Sequence, residues 1–240
     1  MSLPRALLID LDDTILAFSL SAEPCWREVA ERHSPALAAG PDELFAAIRR
    51  AAERFWRDPL RDDRGRLDLT WARRNIVGLA LRELGEPIAT GAAIADDYAS
   101  LREERVTLFP GALSALHELR ARKVRLGLVT NGSSESQRGK IERFELEPLF
   151  DAICVEEEQG AGKPDPRIFR SALQALDAAP ADAWMVGDNL ERDVAGAQAL
   201  GIHGIWCDWA GAGLPEATSV RPDRIVCGLP ELLVDQTSFG

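Results

Sequence analysis

The sequence lacks the features that mark several large classes of protein. Its 240 residues contain no long run of lysines or arginines and carry a formal net charge of -11, so the positive surface that binds the phosphates of DNA or RNA is missing. No uncharged run approaches the length that spans a bilayer, and only Arg5 is basic ahead of the first short apolar stretch. We therefore expect a cytoplasmic protein with neither a nucleic-acid polymer nor a membrane as its partner.

The cysteines and histidines lack the spacing of a metal site. Cys25, Cys154, Cys207 and Cys227 form no CxxC pair, and the histidines are equally scattered, so a zinc site is not expected. The absence of a disulfide pattern agrees with buried free thiols in a reducing compartment. Apolar residues make up 46% of the chain, which is enough to fill one large domain or a core with a smaller insertion.

Three apolar, strand-like runs each end in residues that can do chemistry. Residues 6–9 precede Asp10, residues 124–129 precede Thr130, and residues 183–186 precede Gly187 and Asp188. Helical patterns lie between these runs, which predicts an α/β fold, a Rossmann-like, doubly wound parallel sheet with both faces covered. Ligands of such open sheets bind at the carboxyl ends of the strands, so the three polar ends are expected to converge.

Residues 15–105 differ, because they hold helix signals and almost no strand signals. Thr70 and Thr90 are expected to cap two of these helices. The sequence therefore predicts an all-helical insertion at 15–105, placed after the first strand of a core made of residues 1–14 and 106–240.

The stretch LLIDLDDTIL, residues 7–16, carries acidic side chains at the tip of an apolar strand. If the strand continues, Asp10 and Asp12 face one pocket and Asp13 points elsewhere. Two adjacent carboxylates repel each other unless a cation neutralises them, and magnesium is a natural choice for oxygen ligands. The plainer interpretation is that Asp10 ends the strand while Asp13 and Thr14 cap the next turn.

A second acidic stretch, MVGDNLERDVAGA at 185–197, places Asp188 at a strand tip and Asp193 near the start of a helix. Taken singly, both residues are ordinary helix-terminus acids. Taken with Asp10 and Asp12, they predict four carboxylates in one crevice, an arrangement that requires a metal ion.

Two further segments carry groups suited to an anion. LVTNGSS, residues 128–134, offers a hydroxyl and backbone amides in a strand-to-helix turn. GAGKPDP, residues 160–166, offers Lys163, although it is not a Walker A loop because Pro164 follows the lysine. Each segment alone is typical of an ordinary turn or a solvated surface charge.

Four motifs in this order identify a resemblance: DLDDT at 10–14, Thr130 with Asn131, Lys163 followed by PDP, and GDNLERD at 187–193. Together they resemble the haloacid dehalogenase (HAD) superfamily of aspartate-nucleophile hydrolases, in its phosphatase branch with a helical, C1-type cap. Asp13 stands where the common DxDGT pattern has glycine. Nucleotidase-like and acylneuraminate phosphate phosphatase-like members are similar to this chain at that position.

The resemblance implies a magnesium-dependent phosphatase that acts on a small phosphorylated metabolite, possible examples being nucleotides and sugar phosphates. Asp10 would be the nucleophile that becomes an aspartyl phosphate, and Asp12 the general acid and base. The residues implied to hold magnesium are Asp10, the main-chain carbonyl of Asp12, Asp188 and, through water, Asp193. The residues implied to hold the phosphoryl oxygens are Thr130, the amide of Asn131 and Lys163.

Three alternatives stay open at this point. A 2-haloacid dehalogenase would attack carbon without a metal, but dehalogenases of this family lack the second aspartate of DxD. A phosphomutase would share every core residue. A binding protein that has lost activity is disfavoured by the intact Asp10, Asp12, Lys163 and Asp188.

Overall fold

The computed structural model of the chain describes residues 3–234, which divide into two compact units. One unit contains the chain up to Ala17 and from Thr107 onward, and the other is Phe18–Val106. The chain leaves and re-enters the first unit at neighbouring points, because the Ala17 amide donates to the Thr107 carbonyl at 2.8 Å and Leu16 pairs with Leu108 in a short antiparallel bridge. None of the helices described is long and apolar enough to cross a membrane.

The unit Phe18–Val106 is helical throughout. Buried aliphatic side chains from several helices form its core, together with Phe55 and Tyr98, and the Tyr98 ring stacks on Trp26 with 3.5 Å between ring centroids. Its helices are α1 (Ala22–His33), α2 (Pro41–Trp56), α3 (Pro59–Leu67), α4 (Leu69–Leu84) and α5 (Gly91–Arg105), with 3₁₀ turns at Ser19–Ser21, Ser34–Ala36 and Ile88–Thr90.

The caps of two of these helices differ from the sequence-based expectation. Asp68, rather than Thr70, caps α4, since its carboxylate accepts a hydrogen bond from the Trp71 amide at 2.8 Å. Thr90 does precede α5, but its hydroxyl donates to the Pro87 carbonyl and caps nothing. An aspartate two residues upstream satisfies the same free amides as a threonine would, so the sequence alone did not separate the two choices.

The other unit is built on a six-stranded sheet in which every neighbouring pair is parallel, in the order β3-β2-β1-β4-β5-β6. This confirms the predicted α/β, doubly wound fold. β1 and β4 are buried at every residue, as expected of strands covered on both faces. The strands are β1 (Ala6–Ile9), β2 (Arg125–Thr130), β3 (Ala152–Val155), β4 (Ala183–Gly187), β5 (His203–Cys207) and β6 (Arg224–Val226).

Helices connect the strands, and α9 packs Ile168, Phe169 and Leu173 against apolar side chains of the sheet. An aspartate followed by proline, as at 165–166, is a sequence pattern that predicts the start of a helix. Asp165 does cap α9, accepting a hydrogen bond from the Arg167 amide at 2.9 Å. The helices of this unit are α6 (Ala112–Ala121), α7 (Ser134–Arg143), α8 (Glu156–Gln159), α9 (Pro166–Ala175) and α10 (Gly196–Gln198), with a π-helical turn at Leu190–Ala195 and 3₁₀ turns at Glu147–Leu149, Pro180–Asp182 and Leu229–Leu233.

The order of the strands determines where a ligand fits. From β1 the chain builds outward through β2 to β3, then returns to the other side of β1 with β4. The direction of winding therefore reverses between β1 and β4, and crevices of open sheets form at such reversals. Ile9 pairs with Val186 in register, so Asp10 and Asp188 follow their strands on either side of this crevice.

Candidate active site

Three carboxylates converge at the reversal point. Asp10 follows β1, Asp188 follows β4, and Asp193 lies in the π-helical turn after β4; one oxygen from each lies within 4.8 Å of the others. Asp10 and Asp193 are buried, and Asp188 is half-buried. Such a set of oxygen donors is suited to a hard divalent cation such as magnesium.

Lys163 is the cation that this group contacts directly. Its ammonium lies 2.5 Å from Asp10 Oδ1 and 2.7 Å from Asp193 Oδ1, and its side chain is only 3% exposed. The side chain is therefore not the solvated surface charge that a lone lysine usually is. Burial opposes the charge on Lys163, but Asp10 and Asp193 outweigh it and raise the pKa of the ammonium above its usual range.

One ammonium does not neutralise three carboxylates. Burial raises the pKa of Asp10 to about 7; Lys163 opposes that rise and Asp193 adds to it. Burial, followed by repulsion from Asp10 and Asp193, raises the pKa of Asp188 to about 8. A divalent cation at this point would reverse both effects, because it favours the ionised carboxylates. The charge balance and the donor set thus both fit a metal ion.

The motif GDNLERD explains how Asp193 reaches the cluster. Asn189 caps the π-helical turn, because its side-chain oxygen accepts hydrogen bonds from two backbone amides of that turn. The backbone amide of Asn189 donates to Asp193 Oδ2 at 2.9 Å. Gly187 leaves the necessary room, since a Cβ atom there would lie 2.2 Å from Asp193 Oδ2. On the neighbouring strand β5, the Trp206 indole donates to the Asp188 carbonyl at 2.7 Å and fixes that residue.

The Asp12 carboxylate is not one of these three grouped carboxylates, although its charge is close enough to add to the raised pKa of Asp10. β1 ends at Ile9, and Asp13 has a left-handed backbone with φ 61°, so the strand alternation used in the prediction does not extend to Asp12. Its carboxylate oxygens instead accept hydrogen bonds from the Lys140 ammonium at 2.9 and 2.6 Å and from Gln137 Nε2 at 3.1 Å.

Gln137 and Lys140 were missed by the sequence-based argument. They lie three residues apart on α7 and so share one helix face. A helix that follows the turn at 130–134 must direct one face toward the neighbouring strand ends, and this could have singled them out.

Thr130 is the last residue of β2 and Asn131 the first residue after it, and both side chains have partners within the protein. The Thr130 hydroxyl accepts a hydrogen bond from Gln137 Nε2. The Asn131 side chain pairs with the backbone of Lys163, donating to its carbonyl at 2.8 Å and accepting from its amide at 2.7 Å. This reciprocal pair fixes the backbone from which the Lys163 ammonium extends to Asp10.

Two amides of that turn are not open to an anion, contrary to the expectation from the sequence. The Gly132 amide donates to Glu156 at 2.8 Å, and the Ser134 amide donates to Glu157 at 2.7 Å. The groups of the turn that remain candidates for a phosphoryl oxygen are the Thr130 hydroxyl and the Asn131 amide.

Comparison with known proteins places this geometry in context. The family of haloacid dehalogenase-like hydrolases matches residues 4–201. The phosphoserine phosphatase of Thermus thermophilus is 35% identical over 254 residues, covering 96% of this chain and 98% of the relative.

Two solved structures share the fold along most of the chain. The putative HAD-hydrolase YfnB from Bacillus subtilis, solved bound to magnesium, has a TM-score of 0.74 at 25% identity, over 96% of this chain and 97% of its own. A 2-haloacid dehalogenase from Pseudomonas syringae has a TM-score of 0.62 at 25% identity, over 96% of this chain and 98% of its own. Both phosphatases and dehalogenases thus stand among the similar proteins.

Proposed function

Because the chain belongs to the haloacid dehalogenase-like hydrolases, we propose that it is a magnesium-dependent phosphatase that hydrolyses a phosphate monoester of a small metabolite. The observation that carries the proposal is the environment of Asp10. Its buried carboxylate has the Lys163 ammonium at 2.5 Å and the carboxylates of Asp188 and Asp193 within reach of one shared cation. The similarity to phosphoserine phosphatase supports the same conclusion.

Asp10 is the nucleophile of this reaction. One of its carboxylate oxygens attacks phosphorus, the bond from phosphorus to the leaving oxygen breaks, and the enzyme holds an aspartyl phosphate. Asp12 gives a proton to the leaving alcohol, then takes one from the water that attacks the aspartyl phosphate. Inorganic phosphate leaves and Asp10 is again a carboxylate.

The surrounding groups hold the phosphoryl oxygens during both steps. Lys163, Thr130 and the Asn131 amide supply positive or hydrogen-bonding groups at that place. The residues that would hold magnesium are Asp10, the Asp12 carbonyl, Asp188 and, through water, Asp193. The ion supplies charge neutralisation, which lets a phosphate dianion approach a carboxylate.

The helical unit Phe18–Val106 is the cap that selects the substrate, and residues outside it form the catalytic core. The substrate is a small phosphorylated compound, either a nucleotide or a sugar phosphate. The enzyme works in the cytoplasm, a location supported by Cys25, Cys154 and Cys207, which are buried free thiols suited to a reducing compartment.

A 2-haloacid dehalogenase is the second candidate, favoured by the similarity of the fold to the Pseudomonas syringae enzyme. Displacement of halide from carbon needs neither a proton donor nor a cation site. The ordered Asp12 carboxylate and the group of Asp10, Asp188 and Asp193 would then be without use, so we prefer the phosphatase. A phosphomutase would use the same residues and differ in transferring the phosphoryl group to a second alcohol instead of water.

The experiment that tests the proposal measures phosphate release from nucleoside monophosphates, sugar phosphates and phosphoserine, with magnesium or with a chelator. Wild type is compared with Asp10→Asn and with Asp182→Asn, which changes an exposed aspartate at the opposite end of β4. We expect magnesium-dependent release that is lost only in Asp10→Asn. Release of halide from 2-haloacids without metal, and no phosphate from any compound, would establish the dehalogenase instead.

A further inference from the structure

The Asp12 side chain is held by two residues that none of the recognised motifs contains. The Lys140 ammonium contacts both carboxylate oxygens, at 2.9 and 2.6 Å, and Gln137 Nε2 donates to one of them at 3.1 Å. The ammonium also donates to Gln137 Oε1 at 2.8 Å, so the three side chains form a closed triangle. A side chain held from two directions has little freedom to rotate.

Gln137 also connects Asp12 to the turn that follows β2. Its amide nitrogen lies 2.5 Å from the Thr130 hydroxyl and 2.9 Å from the Asn131 carbonyl, and the residue is only 2% exposed. One buried amide thus touches both the Asp12 carboxylate and the turn proposed to hold the phosphoryl group. A single side chain of α7 therefore connects these two parts of the site.

The use of lysine in this chain makes the position of Lys140 more informative. The sequence has 28 basic residues, of which only Lys123, Lys140 and Lys163 are lysine. Lys123 is exposed on a turn, whereas the other two contact the two aspartates of the DxD motif, Lys163 on Asp10 and Lys140 on Asp12. A compact ammonium differs from a planar guanidinium in size and geometry. Arginine fills the other basic positions of the chain, and two of the three lysines contact a carboxylate of the site.

We propose that Lys140 and Gln137 are positioning residues for Asp12, which they hold in the orientation that proton transfer to the leaving group requires. The inference rests on the proposed phosphatase function, in which Asp12 is the general acid and base. Both residues contact the Asp12 carboxylate and act on the reaction through it. Their effect is to keep the carboxylate from rotating away, and small displacements of a catalytic group are costly because proton transfer needs hydrogen-bond distance.

The choice of substrate separates this role from a general structural one. An alkyl phosphate has a poor leaving group that needs a proton as the bond to phosphorus breaks, whereas nitrophenolate leaves without one. A variant that only disturbs the fold should slow both reactions by the same factor. A variant that displaces Asp12 should slow the alkyl phosphate much more, as Asp12→Asn should.

The experiment compares kcat and KM for glycerol phosphate and p-nitrophenyl phosphate in the presence of magnesium. The variants are Lys140→Met, Asp12→Asn as the reference for loss of the acid, and Lys123→Met as the same change at an exposed lysine. For Lys140→Met we expect kcat on glycerol phosphate to fall at least about 10-fold further than kcat on p-nitrophenyl phosphate, with KM changed less than about 3-fold. Gln137→Leu should shift the ratio in the same direction, and Lys123→Met should leave it unchanged.

An equal loss on both substrates in Lys140→Met, or no loss in an active enzyme, would overturn the positioning role and leave the phosphatase function standing. If wild type releases phosphate from neither substrate nor from the wider panel, the proposed function fails first. If Lys140→Met does not fold, as judged by circular dichroism, Lys140→Gln provides the same comparison with a polar side chain. Its ratio of kcat values then decides the matter by the same criterion.

Discussion

The Lys163 ammonium lies 2.5 Å from the Asp10 carboxylate, and both side chains are buried. Replacing Lys163 by methionine keeps much of the volume and leaves Asp10 and Asp193 without their cation. Because an uncompensated buried charge is costly, we expect the free energy of unfolding of the metal-free protein at pH 8 to fall by about 3 kcal/mol. Urea unfolding measures it, and Lys123→Met should stay within about 0.5 kcal/mol of wild type. A neutral outcome in Lys163→Met would mean that the ammonium is not stabilising this cluster.

The pKa values of Asp10 and Asp188, raised to about 7 and about 8, predict how the stability of the metal-free protein changes with pH. In the unfolded chain these groups release their protons near about pH 4. The folded protein retains these protons to higher pH. Their contribution to the free energy of unfolding is therefore fully present at low pH and is lost as pH rises from about 4 to about 8. Urea unfolding in a chelating buffer should therefore show stability declining over that window.

Magnesium should reverse this decline at pH 8 and have little effect at pH 5, where the carboxylates carry protons. Asp188→Asn removes one of the repelling groups and should flatten the pH dependence, while Asp182→Asn, at the exposed end of β4, should not. Equal stabilisation by magnesium at both pH values would argue that the ion binds elsewhere.

Gly187 and Gly139 offer a matched pair of substitutions. A Cβ at Gly187 would lie 2.2 Å from Asp193, whereas one at Gly139, inside α7, meets nothing within 4 Å. We expect Gly187→Ala to destabilise the protein by about 2 kcal/mol and to abolish activity by displacing Asp193. Gly139→Ala should be stabilising by about 0.5 kcal/mol or more, because alanine favours the helix. Thermal unfolding with an activity assay distinguishes them, and an active Gly187→Ala would show that Asp193 is dispensable.

The cap of α4 can be tested in the same manner. Asp68→Ala removes the carboxylate that accepts from the Trp71 amide, and we expect the free energy of unfolding to fall by about 1 kcal/mol. Thr70→Ala, inside the first turn, should be neutral or slightly stabilising. Thermal unfolding of both variants, followed by circular dichroism, gives the comparison. A larger destabilisation by Thr70→Ala than by Asp68→Ala would show that Thr70 is the cap.

The sequence was informative wherever one local pattern decides the structure. The apolar runs before Asp10 and Asp188 are strands, and their shared register brings those two residues together. The Asp165 cap followed from the Asp-Pro pair at the start of α9. In each case the identity of a few neighbouring residues is enough to predict the local structure.

Long-range pairing was beyond the same reasoning. Asp12 meets Lys140 across 128 positions of sequence, and Gly132 meets Glu156 across 24. Strand alternation placed Asp12 beside Asp10, but β1 ends at Ile9 and the backbone has turned to a left-handed conformation by Asp13, so the alternation does not reach Asp12. Only the packing of α7 against the strand ends shows which partner each carboxylate obtains.

The chain leaves the sheet unit at Ala17 and returns to it at Thr107, and the closeness of these two points bears on how such a protein can evolve. Because the backbone is hydrogen-bonded to itself there, Phe18–Val106 is topologically a loop inserted into the sheet unit, with its two ends held together. The entropy of closing a loop grows only slowly with its length. An insertion of different size or sequence could therefore be exchanged at this junction while the strand ends stay in place. If the inserted unit selects the substrate, as proposed, such an exchange would change the preference without altering the residues that perform the reaction.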